Sequence, residues 1–353
     1  MSLVELSVED LRCLEQVHLQ LHPTHNLIWG SNGSGKTSVL EAIFFLGRGR
    51  SFRTRNSDRL IRRGQSRLIV FGRTDDVPSQ SLGVQVMRDE GVTARINAGP
   101  ASALTDLSQA FAVAAIDPGV HKLVEEGAHR RRRWMDWVVF HVEPHFVEAW
   151  TRYTRALKQR NAALKSQPSQ AGAWDSELVR WGEQVAMARH ATLQRLQPFW
   201  KDLLPELSGL DVELHYFRGW SQDTDLQGAL RASLARDLSK GATHPGPHRA
   251  DILVRLHGRL ARETLSRGQQ KLVAITMMLA QVRLVQECIA APPTLLLDDP
   301  AAELDSRRLE RFIARVEQLR CQTVLTSLER ESPLFTAQGT RFHVEQGRVA
   351  EGS

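Results

Sequence analysis

Gly30-Ser31-Asn32-Gly33-Ser34-Gly35-Lys36-Thr37 is the stretch that decides the fold. It has the full G-x-x-x-x-G-K-[ST] spacing, with the short apolar strand Asn26-Leu27-Ile28-Trp29 before it and a predicted helix through 38–46, stopping at Gly47, after it. Strand, glycine turn and helix in that order make a phosphate cradle. The glycines let backbone N–H groups turn inward, and the helix start adds its dipole. Lys36 is placed to neutralise the outer phosphates of ATP, and the Thr37 hydroxyl to ligate Mg2+.

Such a cradle needs a carboxylate from a neighbouring strand to help hold the metal. Thr294-Leu295-Leu296-Leu297-Asp298-Asp299 supplies an apolar run, as a buried parallel strand should be, ending in two acids. Asp298 is expected to share Mg2+ with Thr37, and Asp299 to orient the attacking water, so that Lys36, Asp298 and Asp299 form the catalytic set. Thr37 and Asp298 lie 261 residues apart. The two halves of the nucleotide site must then come from opposite ends of the chain, around an insertion. That layout resembles the ABC-type ATPase heads, including the chromosome-maintenance and Rad50-like proteins. The expected fold is α/β: an ABC-type (Rad50/SMC-like) P-loop ATPase head with an inserted helical lobe. Its expected parts are an N-terminal half-core at 1–125, helical arms at 126–210 and a C-terminal half-core at 211–353.

Leu265-Ser266-Arg267-Gly268-Gln269-Gln270-Lys271 resembles the ABC signature loop, with Arg267 where transporters usually carry Gly. Physically, Ser and Gly opening a helix form a second anion-binding N-terminus. The resemblance implies that Ser266, Gly268 and Gln269 reach ATP held by a second copy, closing an ATP-dependent homodimer. Pro300-Ala301-Ala302-Glu303-Leu304-Asp305 likewise resembles the D-loop of such dimers. With Asn32, Ser51-Phe52-Arg53, Arg132-Arg133 before Trp134-Met135-Asp136, Lys158-Gln159-Arg160-Asn161 and Gly246-Pro247-His248-Arg249-Ala250-Asp251, these runs resemble the bacterial RecF family over nearly the whole chain. That resemblance implies a DNA-binding ATPase of recombinational repair that dimerises with ATP. It also implies binding to single- and double-stranded DNA at gaps, and help for RecO and RecR in loading RecA. Two departures stand out: Pro300 replaces a small apolar residue, and Thr323-Val324-Leu325-Thr326-Ser327 ends without a switch histidine. Gln65 is a candidate link between metal and lobe motion. The alternative reading is the soluble ATPase subunit of an ABC-type transporter, which shares loop, signature and acids but predicts a compact insert and no arginine clusters. A small-molecule kinase has no use for the signature loop or the 261-residue gap.

The rest of the chain supports two lobes. Of 353 residues, 42% are hydrophobic and 24% charged, the balance of a globular protein with ample core material. Period-two alternation marks strands at 4–8, 17–21, 67–73, 82–87 and 93–97; the chain returns to strands at 212–216 and 251–256, and 294–298, 323–326 and 341–350 look like the remainder of an α/β sheet. Between them, Val147, Trp150, Tyr153 and Leu157, then Leu178, Trp181 and Val185, recur at helical spacing around a breaker at 167–172. This predicts an antiparallel pair of arms, each about 30 residues or about 45 Å long. The scattered Cys13, Cys288 and Cys321 suggest neither disulfides nor zinc, and no run is long and apolar enough for a membrane span, so the cytoplasm is expected.

Lys and Arg outnumber Asp and Glu by 46 to 40, a formal charge of +6, and placement matters more than the sum. Arg48, Arg50, Arg53, Arg55, Arg59, Arg62 and Arg63 form one cluster suited to DNA phosphates, and Arg130 to Arg133 a second. Without a base-reading module, recognition would be of shape and backbone. His248 and Arg249, on a Gly-Pro turn, are candidates for a functional contact.

Overall fold

The computed structural model describes every residue except Glu303, Pro333, Leu334, Thr336, Ala337, Gly352 and Ser353. Contacts divide the chain into unit 1, made of Met1–Gly119 and Ala290–Ser353, and unit 2, Val120–Ile289. Residues 211–289, expected with the C-terminal half-core, therefore pack with the helical segment instead.

Unit 1 begins with the hairpin β1 (Leu3–Leu11) and β2 (Leu14–Gln20), then β3 (His25–Trp29) and the helix α1 (Lys36–Arg48). β4 (Arg67–Thr74), β5 (Ser81–Met87), β6 (Gly91–Ile96), β7 (Gly99–Pro100), α2 (Leu104–Ala110) and β8 (Val113–Ile116) follow. One antiparallel sheet runs β2-β1-β4-β5-β6-β7. Its alternation is the one the sequence predicts: Leu68 and Val70 of β4, and Leu82, Val84 and Val86 of β5, are buried.

Unit 2 contains α3 (Lys122–Glu125), α4 (Ala128–Val142), α5 (Phe146–Ser166), α6 (Asp175–Ser208), β9 (Val212–Phe217) and α7 (Leu226–Lys240). β10 (Asp251–Leu256), β11 (Arg259–Leu260), α8 (Ala261–Thr264) and α9 (Arg267–Cys288) complete it, with a small antiparallel sheet in the order β11-β10-β9. α5 and α6 pack on each other, but the arms are unequal, 21 and 34 residues. The α6 stripe Leu178, Trp181 and Val185 is buried as expected. On α5 only Tyr153 of the expected stripe is buried; the packed face is Phe146, Ala149, Tyr153, Ala156, Arg160 and Leu164. The stripe is rotated because Arg160, a cation, occupies a core position. It donates to Asp175, Asp237 and Thr243 from complete burial.

Unit 1 closes with β12 (Thr294–Leu297), α10 (Ser306–Glu317), β13 (Thr323–Ser327), β14 (Thr340–Glu345) and β15 (Arg348–Glu351). Its second sheet runs β15-β14-β3-β13-β12-β8 and is parallel except for β15. All residues of β12 and β13 are buried, as strands covered on both faces must be. α1 joins both sheets in one core. Every residue from Ser38 to Gly47 is buried, and Val39, Ile43 and Phe45 share a cluster with Leu6 and Val70 of the first sheet and Ile28 and Val324 of the second. The helix does not stop at Gly47. It ends at Gly49, whose left-handed backbone (φ 58°) caps it through its N–H to Phe45 O. Gly47 is small for another reason: a Cβ there would lie 2.7 Å from Phe111 O and from Val113 Cγ1.

Candidate nucleotide-binding site

The loop 30–37 leaves β3 and enters α1, as its sequence requires. Both chain ends wall it. Gly30 N donates to Ser327 O of β13, and Gly347 N, in the β14–β15 turn, donates to Ser34 O at 2.8 Å. A Cβ on Gly30 would sit 2.2 Å from Val344 O, so no side chain fits there. Among the described residues no backbone carbonyl accepts from the N–H of Asn32, Gly33 or Gly35, and the Ser34 hydroxyl is buried with no partner. Unspent donors around a concave turn are what a phosphate group satisfies. Lys36 folds back over the turn, its Nζ donating to Gly30 O at 2.7 Å and Ser31 O at 2.9 Å. Burial lowers its pKa, against the opposing pull of Asp299 and Asp298.

Thr37 Oγ1 donates to both oxygens of Asp298, at 2.9 and 3.1 Å. Residues 261 positions apart thus meet within one unit. The strands are not neighbours, however, as the sequence reading supposed: β13 stands between β3 and β12. Its Thr326 fills the gap, donating to Asp298 Oδ1 at 2.9 Å and accepting the Asp299 N–H at 2.9 Å. Asp299 adopts φ 47°, an uncommon conformation for a residue with a side chain. A hydroxyl and a carboxylate oxygen side by side are the hard-oxygen set Mg2+ takes when phosphates and water supply the remaining ligands.

Two contributors were missed by sequence reading. Thr326 carries no motif of its own in the sequence. Glu41, one turn beyond Thr37, is fully buried; it receives both Arg12 Nε and Nη2 at 3.0 Å and the Ser51 hydroxyl, and Arg53 Nη1 lies 3.9 Å away. The sequence signal was a lone acid inside an otherwise apolar helix.

In unit 2, Ser266 caps α9 as expected. Its Oγ accepts from Gln269 N at 3.3 Å, while Gln269 Oε1 accepts from Ser266 N at 3.0 Å. Gln269 is thereby engaged in the cap. Gly268 is exposed, with open space where a Cβ would go. Of the D-loop-like run, Pro300–Ala302 forms a short 3-10 turn and Asp305 caps α10; Glu303 lies outside the described residues.

The arginines divide sharply. Arg62 lies against Asp10 and Glu15, at 3.6 and 3.0 Å. Arg48 lies over the Phe44 ring, while Arg50, Arg53, Arg55, Arg59 and Arg63 are exposed. In the second cluster, Arg131 is buried against Asp251 and the carbonyls of Leu123, Val124 and Glu126. His248 is fully satisfied: Nδ1 meets the Tyr153 hydroxyl at 2.6 Å and Nε2 meets Thr243 O at 3.0 Å, with burial holding its pKa down at about 4. Gln65 sits exposed in a turn, its N–H on Arg62 O.

Residues 2–346 match the family model of the RecF/RecN/SMC N-terminal domain. The DNA replication and repair proteins RecF of Pseudomonas paraeruginosa and Pseudomonas putida are each 38% identical, over 99% of this chain and 98% of their own. A solved structure of the recombination mediator RecF with ATP superposes with a TM-score of 0.89 at 24% identity, covering 100% of this chain and 98% of that one. The Smc head domain of Pyrococcus furiosus gives 0.60 at 15% identity, covering 100% and 96%. Those two likenesses speak for the fold, an ABC-type head, and the transporter alternative is not favoured. Near-complete coverage at 38% identity goes further than fold, and by it the chain belongs to the RecF family of DNA replication and repair proteins.

Proposed function

We propose that this chain is an ATP-operated DNA-binding protein of recombinational repair, two copies of which close over bound ATP. The observation that carries the reading is the Thr37–Asp298 hydrogen bond at 2.9 Å, which joins the phosphate loop to the acid strand across 261 residues. Gly30 to Thr37 hold the phosphates of ATP, and Lys36 turns from its own carbonyls to the outer phosphates. Thr37 and Asp298 hold Mg2+, which when bound neutralises charge developing on the phosphates. Asp299, positioned by Thr326, orients water and accepts its proton. Ser266, Gly268 and Gln269 of a second copy complete the site, so ATP rather than ADP favours the pair. Turnover is slow and DNA-stimulated, since the bound state is the signal.

The exposed Arg50, Arg53, Arg55, Arg59 and Arg63, with Arg48, contact the backbone of single- and double-stranded DNA at gaps. The RecFOR pathway named for the solved relative supports RecO and RecR as partners in loading RecA in the cytoplasm. No helix among the described residues is long and apolar enough to cross a membrane. A salt titration of binding to gapped duplex tests the reading, with ATP and with ADP. Retention is expected with ATP, declining with log salt at a slope of about −0.9 per contacted phosphate. No binding at low salt with either nucleotide would overturn it.

A further inference from the structure

The turn Gly246-Pro247-His248-Arg249 in unit 2 is held far more firmly than a surface turn needs. Arg189, itself buried and bidentate to Asp136, donates its Nη1 to Pro247 O at 2.6 Å. His248 is pinned at both ring nitrogens, by Tyr153 and Thr243 O. Asn161 Oδ1 accepts from both Thr243 N and its hydroxyl at 2.8 Å, and Arg160 donates to that same hydroxyl. Arg132 Nη1 closes the far side on Ala250 O at 2.7 Å. The Lys-Gln-Arg-Asn and Gly-Pro-His-Arg runs are thus parts of one frame.

That frame presents charge without balancing it. Arg131 is matched by Asp251 and Arg189 by Asp136, while Glu126 is taken by Arg130. Arg249 is exposed, and among the described residues no carboxylate pairs with it or with Arg132. Two guanidiniums thus stand on either side of Ala250 without a carboxylate in ion-pair contact among the described residues. Burial and the like charges of Arg189 and Arg249 lower the pKa of Arg132, against the pull of Asp251 and Asp136. A pair of forked donors carried on a firmly held turn, with no carboxylate in ion-pair contact, suits a phosphate oxyanion.

We propose that Arg132 and Arg249 form a contact for the phosphate backbone of DNA on unit 2, on a different unit from the arginine-rich segment 48–63. This rests on the DNA-binding reading above and adds a site to it. The phosphate assigned to this contact is that of DNA, and a nucleotide phosphate is the other outcome of the test. Both side chains read charge, so the contact adds affinity without sequence preference.

The test is a salt titration of gapped-duplex binding, with ATP, by the parent chain and by R249A, R249K and R132K. R249A should reduce the magnitude of the salt slope by about one and weaken binding about tenfold at moderate salt. R249K and R132K should keep the slope, since they keep the charge. Binding of a fluorescent ATP analogue and the melting temperature should be unchanged in R249A. A parent-like slope in R249A overturns the proposal while leaving DNA binding intact. So does loss of ATP-analogue binding with the DNA slope preserved, which would assign the phosphate to a nucleotide. Failure of the parent itself to bind duplex at low salt removes the DNA reading and this contact with it.

Discussion

Lys36 spends its charge on two carbonyls of its own loop, 2.7 and 2.9 Å away, when no phosphate is near. Lys36→Ala should therefore lower ATP affinity at least tenfold, about 1.4 kcal/mol, with little change in melting temperature; calorimetric titration checks it. His248 offers a pH signature. Its folded pKa of about 4 lies below the ordinary 6.5, so the unfolded chain takes up a proton first as pH falls. The stability it supports is complete above about pH 6.5 and is lost down to about pH 4, at up to about 1.4 kcal/mol per pH unit. Urea midpoints across that window should fall less in His248→Gln than in the parent. At this scale the glycine loop, Lys36, Thr37 and Asp298 were legible because their chemistry is local to a motif. Thr326 was not, because its role depends on which strand lies beside which. Both ring nitrogens of His248 are bonded within the fold, which its sequence does not show because only the fold supplies Tyr153 and Thr243 to its ring.

The element that carries most is α1, buried almost all round. Gly47→Ala would gain about 1 kcal/mol of helix propensity and meet a backbone carbonyl at 2.7 Å that cannot move aside cheaply. Overpacking of that kind costs about 1–3 kcal/mol, so a net loss of up to about 2 kcal/mol is expected in denaturant unfolding. Glu41→Gln removes the counter-ion of Arg12 and should cost about 3 kcal/mol, with Arg53 and the Ser51 turn loosened; hydrogen exchange over 48–56 should rise. The strands around α1 were read from alternation and apolar runs. β8 escaped because four residues carry too little pattern, although it flanks the acid strand. The stripe on α5 was misplaced because a fully buried arginine breaks the equation of core with apolar.

Across the whole molecule, unit 1 is assembled from the two ends of the chain and unit 2 from its middle. The 261-residue gap between loop and acid foretold that arrangement. The boundary did not follow from composition, because the strands of 211–289 look like core strands of unit 1 until their partners are known. Ser266 and Gly268 are exposed at the start of a 22-residue helix. Ser266→Arg should leave ATP binding within about twofold of the parent, well under 1 kcal/mol, yet abolish ATP-dependent association in sedimentation. Dimerisation as strong as the parent's would remove the trans-site reading.

The strand order also sets a schedule for synthesis. Among the described residues β3 has β13 and β14 as its neighbours in the sheet, and these follow it about 300 residues later, at 323–345. A nascent chain therefore carries its phosphate loop on a strand open at both edges until residues 323–345 are made, exposing Leu27 and Ile28 to misassociation. A chain lacking 323–345 would leave the phosphate loop without the two strands that flank β3.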